Sequence, residues 1–181
     1  QSYLDAFMLN NAFTYKELNN NYYIATALHF KSKTMKYLAG NGNIILVDAN
    51  RNLKNTLQAA SKVLKSGKKL LIFPEGARTR DGQLQEFKKT FAILAKELNV
   101  PVLLWGPRDE RPDENGIRLR DSQCGLFATG KVLRRFHVPF TYLCNCRLTD
   151  SEFERGINNF LAVCNVVKAF RNTRILQIGP R

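Results

Sequence analysis

The chain lacks any apolar run near the roughly 18 residues that cross a bilayer as a helix. Gln1–Asp5 has neither the basic start nor the apolar stretch of a secretory signal. The first residue is not Met, which predicts a processed or truncated product. There is no internal repeat, no low-complexity tract and no Pro/Gly/Ser-rich linker. Histidine is scarce, with His29 and His137 alone, and cysteine is absent before Cys124. What is present suits one α/β domain with a real core. The 181 residues are 44% hydrophobic and 24% charged, which excludes disorder over most of the chain.

Charge is the strongest compositional signal. Lys and Arg number 28 against 15 Asp and Glu, a net charge of +13. Such a surplus favours anionic partners: nucleic acid, phosphorylated metabolites or a lipid surface. No aromatic-interleaved basic motif and no zinc pattern is present, and Arg134-Arg135 is too short a run, so nucleic acid is not expected. The basic residues are also unmixed. Twelve Lys and three Arg precede Pro101, and two Lys and eleven Arg follow. With seven and eight acidic residues, the two parts carry about +8 and +5. Cys124, Cys144, Cys146 and Cys164 all lie in the second part. The simplest reading is two segments, 1–100 and 101–181, of different origin.

Four cysteines without a secretory signal predict reduced, packed thiols. Cys144-x-Cys146 in a strand places both thiols on one face. His137 stands alone beside them, so no metal site is expected.

Periodicity predicts strands at Asn43–Val47 and Lys69–Phe73, with a helix through Leu53, Leu57, Ala60 and Leu64 that Gly67 ends. Phe87, Phe91, Leu94 and Leu98 predict a second helix, and Pro101–Trp105 a buried strand. Gly106–Asp121 reads as a loop. A helix at Gln123–Phe136, with Gly125 and Gly130 against it, leads to a strand at Pro139–Cys146. Thr149, Asp150 or Ser151 can cap a helix through Phe153, Ile157, Phe160, Leu161, Cys164, Val167 and Phe170. Arg174–Ile178 reads as a last strand. Strands alternating with helices predict an α/β fold, a mostly parallel sheet with helices on both faces.

The most informative stretch is Phe73-Pro74-Glu75-Gly76-Ala77-Arg78-Thr79-Arg80, directly after an apolar strand. Ligands of α/β sheets sit beyond the carboxyl ends of strands. Arg78 and Arg80 offer forked donors suited to phosphate, and Glu75 can orient them or a hydroxyl. Residue types alone leave a charged, solvated turn equally open.

These residues resemble the third signature block, Phe-Pro-Glu-Gly-x-Arg-(Ser/Thr), of the glycerolipid acyltransferases that act on glycerol-3-phosphate and lysophosphatidic acid. Gly42–Asp48 through Arg51 resembles the second block, with Arg51 further from the Asp than is usual. Val100-Pro101-Val102 resembles the fourth. The first block is Asn-His-x-Ser-x-x-Asp, and Gln1-Ser2-Tyr3-Leu4-Asp5 is similar to everything after the His. The resemblance spans about residues 1–102. It implies a general-base His that takes the acceptor hydroxyl proton, with Asp5 orienting the imidazole. It implies that Arg51 and Phe73, Pro74, Glu75, Gly76, Arg78 and Thr79 hold the acceptor phosphate. It implies no metal and no bound cofactor. Acyl-CoA or acyl carrier protein is then the co-substrate, with a phosphorylated glycerol acceptor, at a cytoplasmic site peripheral to an anionic membrane. The His position falls just before Gln1. His29, in the apolar run Ile24–Phe30, reads as a core histidine rather than a substitute. As given, the chain is therefore expected to be nearly inactive.

Residues 101–181 differ. Leu103–Glu110, Arg118–Phe127, Lys131–Phe136, Val138–Tyr142 and Ile175–Arg181 resemble the amino-terminal region of the L-fucose/L-arabinose isomerase family. That family's metal ligands come from later in the chain, so the resemblance implies a non-catalytic Rossmann-like fragment. Trp105, Arg108 and Arg120 either touch a sugar in a complete enzyme or pack and anchor loops. The whole chain looks like a chimera.

Overall fold

The computed structural model describes residues 9, 18–26, 30, 32, 37, 39, 41–47, 53–74, 89–117, 121–174, 176, 178 and 179. The chain folds as α/β, and its strand ladders are parallel. Among the described residues these ladders form two small sheets rather than one.

The first sheet has strand order β2-β1-β3. Its central strand, β1 (Asn21–Thr26), pairs Tyr23 with Ile44 of β2 (Ile44–Val47) and with Leu71 of β3 (Lys69–Leu71). The apolar run Ile24–Phe30 overlaps only the end of this strand, which begins at the polar Asn21. Asn43 enters β2 through a left-handed turn at φ 57°, and its side-chain amide donates to Leu18 O at 3.4 Å.

Helix α1 (Leu53–Lys65) connects β2 to β3 and packs on both. Lys62 and Lys65 lie in its last turn, where cations suit the helix dipole. Gly67 then takes φ 77°, which no L side chain adopts easily, and Lys68 N donates to Val63 O at 3.3 Å. The Lys68 ammonium reaches the Tyr22 hydroxyl at 3.0 Å and tethers this turn to β1.

Helix α2 (Thr90–Leu98) ends at Asn99, which is left-handed at φ 47°. Strand β4 (Val102–Pro107) follows. Helix α3 (Ser122–Arg135) starts at Asp121, whose carboxylate accepts from Cys124 N at 3.0 Å. Strand β5 (Phe140–Cys146) runs parallel to β4, and α4 (Ser151–Arg171) packs against β5. Gly130 of α3 is buried where an added Cβ would meet the Phe140 ring at 3.3 Å, so a residue poor for helix formation here allows close packing.

The core sits between α2, α3 and β4. Phe91, Ala92, Ala95, Leu104, Leu133 and Val138 form one buried cluster, and Ile72, just past β3, packs on it. This cluster draws from both sides of the compositional break at Val100.

One expectation needs correction here. Arg174, Leu176 and Ile178 are not in a strand, and Leu176 and Ile178 are 82% and 89% exposed. Apolar, β-prone side chains make a strand only beside an edge that pairs with them. The helix expected through Phe153 to Phe170 is present as α4, and its apolar stripe is partly covered. Phe153 is buried, but Val167 is 42% exposed and Phe170 75%.

Asn21 is a local anomaly. It is buried, and neither its amide nitrogen nor its oxygen has a hydrogen-bond partner among the described residues. An unpaired buried amide costs about 1–3 kcal/mol. Asn21→Leu, close in shape, is therefore expected to raise unfolding stability by about that amount. Urea unfolding checks it, and a clear loss of stability would show the amide to be engaged.

Candidate active site

β1 and β3 are parallel neighbours, so their carboxyl ends lie at one edge of the sheet. The chain moves from β1 to β2 on one side and then crosses back over β1 to β3. The direction of connection thus reverses between β1 and β3. Such a switch point opens a crevice beyond the strand ends, where ligands of α/β sheets bind. The chain leaves β3 into this region through Ile72, Phe73 and Pro74, all half-buried. Because β2 runs parallel to β1, its carboxyl end at Val47 lies at the same edge.

Of the residues expected to act, Phe73 and Pro74 are placed, just beyond β3. Asp5, Arg51, Glu75, Gly76, Arg78 and Thr79 lie outside the described residues, as do His29 and Arg120.

A second polar constellation occupies the carboxyl ends of β4 and β5. The Trp105 indole N–H donates to Cys146 O at 3.1 Å, and its ring meets Phe153 edge-on at 5.0 Å. Arg108 pairs with Asp150 at 2.9 Å and donates to Asn145 O at 3.2 Å. Asp150 stands at the start of α4 but does not cap it with its side chain, and instead also accepts from Arg147 N at 2.9 Å. Asp109 accepts from Ser122 N at 3.0 Å, which ties the long loop to the start of α3. Of the two readings for Trp105 and Arg108, these are the contacts of loop anchoring. Asp109 and its role were not legible in sequence, since thirteen residues separate it from its partner.

Cys144 and Cys146 do not share a face. A bulge between Gly106 and Pro107 sets Asn145 at φ 55°, and this turns Cys146 into the core while Cys144 stays exposed. Burial pushes the Cys146 thiol up from its ordinary value, against the pull of the Trp105 N–H. The Cys124 thiol is raised by its hydrogen bond to Asp121. A raised thiol holds less reactive thiolate at a given pH. Iodoacetamide at pH 8 should therefore label Cys144 first and Cys146 last in the native chain. Peptide mass mapping reads the order, and equal rates for the two would sink this placement. Among the described residues no cluster of three or more His, Cys, Asp or Glu could hold a metal, and no helix is long and apolar enough to cross a membrane.

The family model described as acyltransferase matches residues 1–103, more than half of the chain. The chain belongs to the acyltransferase family. A second family model, the N-terminal domain of fucose/sulfoquinovose isomerase, matches residues 83–171. Two curated relatives are named 1-acyl-sn-glycerol-3-phosphate acyltransferase. The one from Limnanthes douglasii is 35% identical over 51 residues, 28% of this chain and 18% of the relative. The one from Cocos nucifera is 32% identical over 66 residues, 36% of this chain and 21% of the relative. The matched stretches thus span about a fifth of those relatives. No solved structure matches the chain.

The acyltransferase match takes in the whole β2-β1-β3 sheet and ends within β4. The isomerase match starts before α2, so α2 and the start of β4 belong to both. Both resemblances read from the residues are thereby met. Phe73 and Pro74, beside the β1/β3 switch point, lie in the first match alone, while the anchoring cluster of Trp105, Arg108 and Asp150 lies in the second.

Proposed function

We propose that this acyltransferase-family chain moves a fatty acyl group from acyl-CoA or acyl carrier protein to a hydroxyl of glycerol-3-phosphate or a lysophospholipid. The observation that carries the reading is the position of Phe73-Pro74, where the Phe-Pro-Glu-Gly-x-Arg block leaves β3 beside β1 at the switch point. The family match and the names of the two relatives support it.

The chemistry needs three parts. An imidazole takes the acceptor proton as the oxygen attacks the thioester carbonyl. The leaving thiolate then takes that proton back, so no acyl-enzyme bond is formed. Asp5 holds the imidazole in the right tautomer and stabilises its cation. Arg51 and Arg78 fork onto the acceptor phosphate, with Glu75 orienting them, and Gly76 lets the backbone close on the ligand. The excess of cations suits an anionic membrane surface at the cytoplasmic side.

The isomerase match favours a second reading for the remainder. Residues from about 101 onward act as a non-catalytic segment of isomerase type joined to the acyltransferase part, and the chain is a chimera.

The test is acyl transfer from acyl-CoA to glycerol-3-phosphate and to lysophosphatidic acid, with lipid product read by mass. The chain carries Asn-His ahead of Gln1 to complete the first block. Product from either acceptor is expected. A folded, extended chain that forms none would refute the reading.

A further inference from the structure

Helices α1 and α2 pack side by side, and an open groove of about 500 Å³ runs between them. Leu57 of α1 and Ile93, Leu94 and Leu98 of α2 make its apolar floor. Lys54, Lys62 and Lys65 stand along the rim, all exposed, and none is ion-paired with a described residue. Neither the acyl-transfer chemistry nor the anchoring at β4 and β5 uses any of these side chains.

We propose that this groove docks an acidic amphipathic helix of a partner protein. Three features of the groove point to that occupant. It is concave, and a flat bilayer surface does not fill a cleft between two helices, whereas the ridge of a third helix does. Its cations are spread along it. Lys54 and Lys65 are eleven residues apart in α1, about 16 Å along the axis, or three turns of a partner helix. A fatty acyl chain carries charge at one end only and leaves the far lysines unmatched. The groove is also apolar at its floor and charged at its rim, the inverse of an amphipathic helix with leucines on one face and carboxylates beside them. Glu97 is the acidic side chain on the lining and opposes such a partner. The inference stands apart from the acyl-transfer reading, because its test reads binding and not catalysis.

The probe is a fluorescent helical peptide of about 15 residues, with Leu at helical spacing and Glu elsewhere. Its counterpart carries Lys in place of Glu. Vesicles of phosphatidylglycerol are the lipid control. The acidic peptide is expected to bind by anisotropy and its Lys counterpart not. Lys54→Glu/Lys62→Glu/Lys65→Glu should weaken binding by about tenfold or more. Arg111→Glu/Lys131→Glu/Arg155→Glu changes net charge equally at exposed sites elsewhere and should leave the affinity within about threefold. Glu97→Gln should tighten binding, a gain that no folding defect produces. Circular dichroism confirms that each variant is folded. Equal losses from the two triple variants would reduce the effect to bulk charge and overturn the proposal. Vesicle binding that needs the α1 lysines, without peptide binding, would assign the groove to lipid and also overturn it.

Discussion

The chain as given is expected to form acylated product about 10²–10⁴-fold more slowly than the same chain with Asn-His ahead of Gln1, since that is the usual worth of a general base. The acceptor hydroxyl is a weak nucleophile until its proton leaves. In the extended chain, Asp5→Asn should then remove most of the gain, because the carboxylate both fixes the imidazole tautomer and stabilises the cation formed in the reaction. Arg78→Ala should act differently. On the proposed function it removes a forked donor to phosphate, and so should raise KM for glycerol-3-phosphate more than it lowers kcat. Full progress curves at several acceptor concentrations separate the two. Equal rates for the extended and the given chain would show that proton abstraction is not done by a residue of the first block. An Asp5→Asn variant as fast as its parent would remove Asp5 from the site.

Leu133→Ala should cost about 2–5 kcal/mol of unfolding stability. Leu133 is 0% exposed and sits at the centre of the cluster with Phe91, Ala92, Ala95, Leu104 and Val138. Truncation there loses the transfer energy of three carbons and leaves a void that close-packed neighbours fill only in part. A domain this size has about 5–15 kcal/mol in total, so the variant keeps little reserve. Leu133→Met, which conserves volume, should cost less than about 1.5 kcal/mol. Because the cluster spans the compositional break, α2 and α3 should melt in one transition, followed by far-ultraviolet dichroism during thermal unfolding. A separate, earlier transition for the second segment would show that Leu133 does not bind the two parts together.

Much of the secondary structure was legible in the residues. The helices through Leu57 and Ala60, through Phe91 and Leu94, and through Leu133 follow from apolar spacing, and Gly67 marked a helix end. The same spacing also gave α4, a helix over Ser151–Arg171. There it ran on through Val167 and Phe170, which the structure leaves exposed, because periodicity says which face is apolar and not whether anything covers it. The block from Phe73, of which Phe73 and Pro74 are described, could be read for its chemistry for another reason. A phosphate-type site needs a turn, a glycine and forked cations close together in sequence, so its chemistry is written locally.

The sequence by itself determined the α/β class, the helix spacing, the chemical character of the Phe73–Arg80 block and the resemblance to two families. Each rests on residues a few positions apart, where propensity, periodicity and motif act. Only the tertiary structure decided that β1 is the central strand, since its status comes from ladders to β2 and β3 on either side. It also decided that Arg108 meets Asp150, that a bulge parts Cys144 from Cys146, and that Leu176 and Ile178 do not pair. Those outcomes depend on which distant segment arrives beside a residue, and hydrogen-bond ladders, ion pairs and burial exist only once it has arrived.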